Sequence, residues 1–553
     1  MTERLKIALA QLNPTVGDLA GNAHLVREAR AAAAKSGADL VLLSELFLSG
    51  YPPEDLVLKP AFVSGARKIA TELASETKDG GPGVLLGLPW AEEGKLHNAV
   101  AYLDAGSIKA RRFKYELPNY GVFDEIRVFK PGPLPEPINI RGIDTGVPIC
   151  EDIWFGTTCL NLRQAGAQIL LVPNGSPFEI DKREARLNHV KARTWENNLP
   201  MVYLNQVGGQ DELVFDGQSF VMNANDEIAV QMPAFEEAMV ITEWIKEGGK
   251  WRCAKGESAE TPGKLEALYR AMMLGLRDYV RKNRFPGVII GLSGGVDSAL
   301  TAVIATDALG AERVRCFMLP SRYTSEESLK DATDCAKSLG IKLGEIAIEP
   351  AVAAFTDMLK DQFSGRNADT TEENIQSRIR GVTLMALSNK FGDMVVTTGN
   401  KSEMSVGYAT LYGDMCGGFN PLKDLYKTEV FEVARWRNAN HPRGSLGPKG
   451  RVIPENTITR PPTAELRANQ LDQDSLPPYS VLDDILECLI EREMSVADIV
   501  ARGHDAAIVR RVEQMLYVAE YKRRQAPPGV KLTSKNFGRD RRYPITNGFR
   551  DVR

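Results

Sequence analysis

The chain has 553 residues, 43% of them hydrophobic and 25% charged, an ordinary globular mixture of a length that divides into two to four domains. Its 68 lysines and arginines against 72 aspartates and glutamates leave a net charge of −4, so nothing calls for nucleic acid or an anionic membrane as a partner. No apolar run approaches the roughly 18 residues that cross a bilayer, and seven cysteines, scattered without a Cys-x-x-Cys pair, argue for a reducing cytoplasm and against a disulfide framework or a zinc cluster.

The start, Met1 to Lys6, is charged and runs straight into a strand pattern, so no signal peptide is expected. Over the first 240 residues, strand-like and helix-like runs alternate. Ile7–Gln11, Leu40–Leu43, Val84–Leu88, Ile169–Val172 and Met201–Asn205 read as buried strands. Ala20–Lys35 and Ile180–Asn197 read as helices, the second opening near Asp181. Alternation at Leu96–Arg112 and Leu213–Met232 predicts antiparallel strands. Residues 247–262 are polar and glycine-bearing, which predicts a linker between domains at 1–246 and 263–553.

The second domain opens with a helix at Lys264–Asn283, followed by strands at Val288–Leu292, Val314–Leu319, Leu343–Ile348 and Met394–Thr397 with helices between them. That order predicts a doubly wound parallel sheet, which binds ligands beyond the carboxyl ends of its strands. Arg443–Arg451 reads as a mobile loop. Gln525–Arg553 reads either as disordered or as lying across a phosphate-bearing ligand.

At the end of one such strand stands Gly291-Leu292-Ser293-Gly294-Gly295-Val296-Asp297-Ser298. A strand feeding a glycine turn and then a helix presents free backbone N–H groups at a helix N-terminus, an anion site. Ser293 and Ser298 add hydroxyl donors, and Asp297 adds a carboxylate able to hold a cation. The lysine of a Walker A motif is missing. In the first domain, Glu45 follows an apolar strand, where a carboxylate needs a partner, and Cys150 ends another. With Lys114 they would suffice for amide hydrolysis: the thiol attacks, the carboxylate moves the proton, and the ammonium stabilises the oxyanion and favours the thiolate. Spacing alone does not join them, and a lone cysteine is more often a buried structural thiol.

Three stretches do join them: Ser44–Pro53, Lys114–Glu125 and Gly146–Trp154 together resemble the nitrilase superfamily over residues 4–245. The resemblance implies an α-β-β-α sandwich with Glu45 as general base, Lys114 as oxyanion stabiliser, Cys150 as nucleophile and Glu125 as a second, orienting carboxylate. Leu117–Glu125 and Ile149–Trp154 are similar to its glutaminase branch, which implies that Tyr120, Ser176 and Lys182 contact glutamine.

The Gly291–Ser298 loop resembles the pyrophosphate loop of the ATP pyrophosphatases, an adenine nucleotide alpha hydrolase-like fold. With Leu319–Ser325, Thr371–Arg380 (Thr371 a candidate N-cap), Thr397–Glu403, Tyr412–Asp414 and Lys423–Thr428, residues 264–545 resemble the NAD synthetase family. This implies that residues 291–298 and Thr398 hold ATP, that Asn374, Glu403 and Lys535 contact deamido-NAD+, and that Asp297 with Glu403 holds Mg2+. Lys423 and Lys427 would neutralise phosphate charge. A nitrilase-like glutaminase fused to such a synthetase implies ATP-dependent amidation of deamido-NAD+ through an adenylate, with ammonia supplied locally from glutamine. Pairing through the second domain, at least a homodimer, is likewise implied.

Other glutamine-fed ATP pyrophosphatases fit less well. A Gly-x-Cys-x-Gly elbow with a catalytic histidine is not found, and position 2, where an amino-terminal nucleophile would be cysteine, is Thr2. The remaining alternative is a nitrilase-type amidase with a nucleotide-sensing appendage.

Overall fold

The computed structural model describes residues 3–551, so the reading of position 2 lies outside the described residues. The chain divides into two compact units, Met1–Pro262 and Gly263–Arg553.

The first unit begins with β1 (Arg4–Gln11), α1 (Leu19–Lys35), β2 (Leu40–Leu42), α2 (Pro60–Glu76), β3 (Gly83–Glu92), β4 (Lys95–Asp104), β5 (Ser107–Phe113) and the single turn α3 (Glu125–Val128). It continues with β6 (Ile138–Ile140), β7 (Ile143–Gly146), α4 (Gly156–Gln164), β8 (Ile169–Asn174), α5 (Lys182–Asn197), β9 (Met201–Asn205), β10 (Val207–Gln210), β11 (Leu213–Asp216), β12 (Phe220–Met222), β13 (Ile228–Gln231), β14 (Ala238–Glu247) and β15 (Lys250–Cys253). One sheet runs β15-β14-β1-β2-β3-β4-β5 and the other β13-β12-β9-β8-β7-β6. Period-2 alternation assigns the faces. Leu5, Ile7 and Leu9 share a core with Ile169, Leu171, Val202 and Leu204 between the sheets, while Ala8 and Ala10 pack with Ala23, Val26 and Ala70 of α1 and α2. On the far side, Leu170, Val172 and Tyr203 pack with Leu162 and Val190 of α4 and α5. Each fully buried Leu, Ile or Val contributes roughly 1.5–3 kcal/mol, and the layers stack as α-β-β-α.

The segment expected to be a linker holds β15. Gly248 and Gly249 take positive φ (58° and 81°) and turn the chain back. Trp251 and Cys253 then point inward and pair alongside Lys246 and Trp244 of β14. The outward Lys250 and Arg252 give this segment its polar composition, and the alternation beneath it is what folds.

In the second unit, α6 (Lys264–Lys282) leads into β16 (Val288–Gly291), α7 (Val296–Leu309), β17 (Val314–Met318), α8 (Glu326–Leu339), β18 (Lys342–Glu345), α9 (Glu349–Leu359), α10 (Thr370–Phe391) and β19 (Met394–Val395). These four strands form a parallel sheet in the order β18-β17-β16-β19. The order reverses between β16 and β19, so right-handed crossovers lay α7 and α8 on one face and α10 on the other, and a crevice opens at the switch point. Beyond it come α11 (Lys401–Val406), α12 (Lys427–Ala439), α13 (Glu455–Thr459), α14 (Tyr479–Ile490), α15 (Val496–Ala501) and α16 (Ala506–Val518). Of these, α11, α14, α15 and α16 share an apolar core with Phe537.

Three local expectations change. The N-cap of α10 is Asp369, which accepts from Thr371 N at 2.7 Å, with Glu372 accepting from Asp369 N at 2.8 Å in a capping box; a carboxylate two residues before Thr371 outcompetes its hydroxyl. The 443–451 loop is tied down by the buried Asp307, whose Oδ1 accepts from Ser445 Oγ at 2.8 Å, and by Arg437, which donates to Pro448 O at 2.7 Å. The tail is ordered where it is apolar: Val530, Leu532 and Phe537 are buried, and Asn420 N donates to Pro528 O at 2.9 Å.

Candidate functional site

Glu45, Lys114 and Glu125 meet at the strand ends of the first unit, on segments that follow β2 and β5 and open α3. Lys114 Nζ donates to Glu45 Oε1 at 2.7 Å and to Glu125 Oε1 at 2.9 Å, with the side chain fully buried. Glu45 is braced on both oxygens, accepting from Asn98 Nδ2 at 2.7 Å and from Gly175 N at 2.9 Å. Tyr51 Oη donates to Glu125 Oε1 at 2.9 Å. Burial opposes the charge on Lys114, but Glu125 and Glu45 outweigh it and raise its pKa well above the ordinary lysine value. An ammonium has three N–H donors; these carboxylates take two.

Cys150 follows β7 and opens a short 3-10 turn, with φ at +44°. A left-handed conformation at a non-glycine residue costs on the order of 1–3 kcal/mol and persists only where its surroundings enforce it. Glu45, Lys114, Glu151 and Glu125 surround the thiol electrostatically. Burial first, and Glu45 next, push the thiol pKa well above its usual value; Lys114 pulls it down, in the direction the sequence predicts, and is outweighed. The arrangement suits a neutral thiol that loses its proton to a base as it attacks.

The residues expected to hold glutamine lie close by. Tyr120 Oη donates to both carboxylate oxygens of Glu151 at 3.0 Å. Lys182 opens α5 with its Nζ 4.8 Å above the Trp154 ring; burial raises the Glu151 carboxyl above its usual value, against the pull of Lys114, Tyr120 and Lys182. Ser176 is buried, its Oγ accepting from Arg186 Nε at 3.1 Å. Arg186 in turn holds Asp216 with two contacts at 2.8 and 3.0 Å and donates to Ser176 O and Pro177 O. Sequence reasoning missed Glu151, Asn98, Tyr51 and Arg186. Glu151 could have been found, since it adjoins Cys150. Asn98 sits in ordinary strand alternation and carries no local signal.

In the second unit, the Gly291–Ser298 loop leaves β16 and enters α7 at the switch point. Ser298 Oγ accepts from Ser293 N at 3.1 Å and donates to Gly295 O at 3.0 Å, which closes the loop on itself. Gly294 has φ +87°, and a β-carbon there would strike the Ser328 backbone. Gly291, Leu292, Ser293, Gly295, Val296, Asp297 and Ser298 line a cavity of about 550 Å³ together with Thr398, Asn374 and Glu403. Lys535 is not on its wall; it pairs with Glu493 at 2.5 Å. Of the two lysines expected near phosphate, Lys427 lines the cavity and Lys423 does not. Arg380 and Arg460, which the sequence did not single out, add two cationic side chains.

Asp297 and Glu403 converge, but on an ammonium: Lys427 Nζ lies 2.5 Å from Asp297 Oδ2 and 3.0 Å from Glu403 Oε1. Asn400 Nδ2 donates to Asp297 Oδ1 at 2.8 Å. Burial raises the Glu403 carboxyl to about 7, against the pull of Lys427. Asp472 lies near enough to raise it further, and Asp472 Oδ1 is buried without a hydrogen-bond partner. Hard carboxylate oxygens on the wall of this cavity fit magnesium in donor chemistry, with Lys427 as the cation that balances them here. Among the described residues no cluster of three or more His, Cys, Asp or Glu forms a ready metal site.

Known proteins share both halves. Residues 6–252 match the carbon-nitrogen hydrolase family and residues 268–526 the NAD synthase family. A glutamine-dependent NAD(+) synthetase of Rhodobacter capsulatus is 53% identical over 551 residues, 100% of each chain. That of Thermotoga maritima is 45% identical over 99% of this chain and 100% of its own. The solved structure of glutamine-dependent NAD+ synthetase from Acinetobacter baumannii, in complex with adenosine diphosphate, matches with a TM-score of 0.79 at 43% identity, over 100% of both chains. With Glu45, Lys114 and Glu125 gathered around Cys150 in one unit, a loop-lined cavity in the other and relatives matched from end to end, the chain belongs to the glutamine-dependent NAD(+) synthetase family.

Proposed function

We propose that the chain converts deamido-NAD+, ATP, glutamine and water to NAD+, AMP, pyrophosphate and glutamate. The observation that carries this reading is the pairing, in one chain, of the Glu45–Lys114–Glu125 cluster around Cys150 with a serine-glycine loop opening on the cavity.

In the first unit, Cys150 Sγ adds to the carboxamide carbon of glutamine while Glu45 takes the thiol proton. The remaining N–H of Lys114 meets the oxyanion. Glu45 returns the proton to nitrogen, ammonia leaves, and water, deprotonated by Glu45, cleaves the thioester to glutamate. Tyr120, Ser176 and Lys182 line the glutamine subsite. Glu151 and Lys182 offer one carboxylate and one ammonium, the complement of an α-amino acid's two charges.

In the second unit, residues 291–298 and Thr398 hold ATP, and Asn374 and Glu403 face deamido-NAD+, with Lys535 as a further contact. A nicotinate carboxylate is a poor electrophile. Its attack on the α-phosphorus of ATP releases pyrophosphate and gives an acyl adenylate, which ammonia opens with loss of AMP. Magnesium entering with ATP would take its protein ligands from Asp297 and Glu403, and it supplies neutralisation of phosphate charge. Lys427, Arg380 and Arg460 add fixed positive charge on the same wall.

We place the enzyme in the cytoplasm: all seven cysteines are unpaired, and no helix among the described residues is long and apolar enough to cross a membrane. Self-association through the second unit is supported by Met358, Val382 and Phe391, all exposed on α9 and α10. Sedimentation as a monomer would overturn it. The activity is tested with glutamine labelled with nitrogen-15 in its amide: label is expected in the carboxamide of NAD+, with one AMP and one pyrophosphate per turnover. Release of ADP and phosphate, or unlabelled NAD+, would overturn the scheme.

A further inference from the structure

We propose that Asp152 is a positioning residue that sets the nucleophile and the ammonium of the glutaminase site against each other by binding the backbone of both segments that carry them. The inference rests on the reading of Cys150 and Lys114 given above and adds a residue that touches neither glutamine nor the reacting atoms.

Asp152 is 1% exposed. Its Oδ1 accepts from Tyr115 N at 3.1 Å and from Glu116 N at 2.8 Å, and its Oδ2 accepts from Ile149 N at 2.8 Å. Tyr115 directly follows Lys114, and Ile149 directly precedes Cys150. Lys114 and Cys150 are 36 positions apart in the chain, and their segments follow strands of different sheets: β5 lies on the edge of one, and β7 lies in the other. One carboxylate therefore closes a bridge between them at the point where their functional side chains must converge. It also braces the left-handed backbone of Cys150, because the amide it holds lies immediately upstream of the strained residue.

The chemistry calls for a carboxylate. It is acceptor-only, with two oxygens and about four lone-pair sites, enough for three N–H donors on two sides. The asparagine amide has one oxygen, and its NH2 would face a backbone N–H, so it can serve one segment and not both. Burial raises the Asp152 carboxyl to about 7, and the three amides pull against that rise. A displacement of about 1 Å between reacting groups costs on the order of 100-fold in rate.

The test compares Asp152→Asn and Asp152→Ala in the full chain, with glutamine and with ammonium chloride as alternative nitrogen sources. The expected result is a fall of about 100-fold or more in glutaminase kcat for Asp152→Ala, a smaller fall for Asp152→Asn, a KM for glutamine within a few-fold of the parent, and unchanged ammonium-driven synthesis. Combining Asp152→Asn with Lys114→Ala should cost little more than Lys114→Ala alone, because groups that act as a unit are non-additive. Glutaminase kcat within about twofold of the parent in both variants would overturn the proposal, as would an effect on KM alone. So would loss of ammonium-driven synthesis in both, which would mark Asp152 as a general structural group. Cys150→Ala run in parallel separates the two readings: if it keeps glutamine-driven synthesis, the assignment of the site itself fails.

Discussion

A cysteine whose thiol is held up by burial and by Glu45 is a poor spontaneous nucleophile, and the glutaminase chemistry turns on that single environment. Cys150→Ala should abolish glutamine-driven NAD+ formation and leave formation from added ammonium salt; a coupled assay for NAD+ with each nitrogen source reads both. Asp297→Asn belongs to the other half. It removes one of the two carboxylates that balance Lys427, and synthesis from either source should fall by about 100-fold or more, the scale on which a preorganised charge acts in a transition state. At this scale the sequence was informative where chemistry is costly. Glu45 and Cys150 stand out because polar groups at the ends of apolar strands need a reason. Asn98 and Tyr51 were hidden, since a polar residue in an alternating strand and an aromatic in a loop are ordinary. Lys427 was visible as a cation near phosphate, but its place between Asp297 and Glu403 depends on bringing α7, α11 and α12 together, and no local pattern records that.

Elements explain why these side chains stay where they are. The Gly291–Ser298 loop is a strand-to-helix turn that only glycine can make at Gly294, where the positive φ and the nearby Ser328 backbone both reject a β-carbon. Gly294→Ala should therefore eliminate synthesis with glutamine or ammonium while glutamate release from glutamine persists, a split readable by assaying the two products separately. On the other unit, α5 supplies Arg186, a buried cation that holds Asp216 and the carbonyls of the Ser176 loop. Arg186→Ala strands a buried carboxylate, so a loss of about 3–5 kcal/mol is expected in denaturant unfolding of the first unit, with glutamine KM rising as Ser176 loosens. Helices with a clean period were legible in the sequence to within a residue or two, while strand ends such as those of β1, β3 and β18 extend or stop three or four residues from where the pattern placed them. Elements whose polar face dominates were not: β15 reads as a linker because two of its four residues are charged, and the cap of α10 was assigned to a threonine because its competitor lies just upstream.

Across the whole molecule, stability and function pull on the same buried charges. Glu403 has its carboxyl raised to about 7 in the folded chain, from an ordinary value of 4.5. The folded state therefore binds more protons than the unfolded state between those values, and its stability declines as pH rises through that window. Glu403→Gln lacks this titration. Its melting temperature relative to the parent should rise between about pH 5 and about pH 8, by a few degrees for each kcal/mol involved, while synthesis is lost. A difference in melting temperature that stays flat across the range would refute the assignment. The two-domain plan was legible because both halves announce themselves by motif, whereas the ordering of the tail was not, because its few apolar residues are diluted by charge. That ordering has a consequence for biosynthesis. The buried ammonium of Lys401, next to Asn400, which holds Asp297 of the cavity wall, is neutralised by Asp424 and Glu491 and also donates to Thr533 Oγ1 at 2.7 Å and to the Lys535 carbonyl at 2.9 Å. Residues 533–535 come after every cavity residue in chain order, so a nascent polypeptide still on the ribosome lacks these two acceptors for the buried ammonium. The synthetase half can become competent only once translation has passed this clasp, whereas the glutamine-cleaving half, complete some 270 residues earlier, has no such wait.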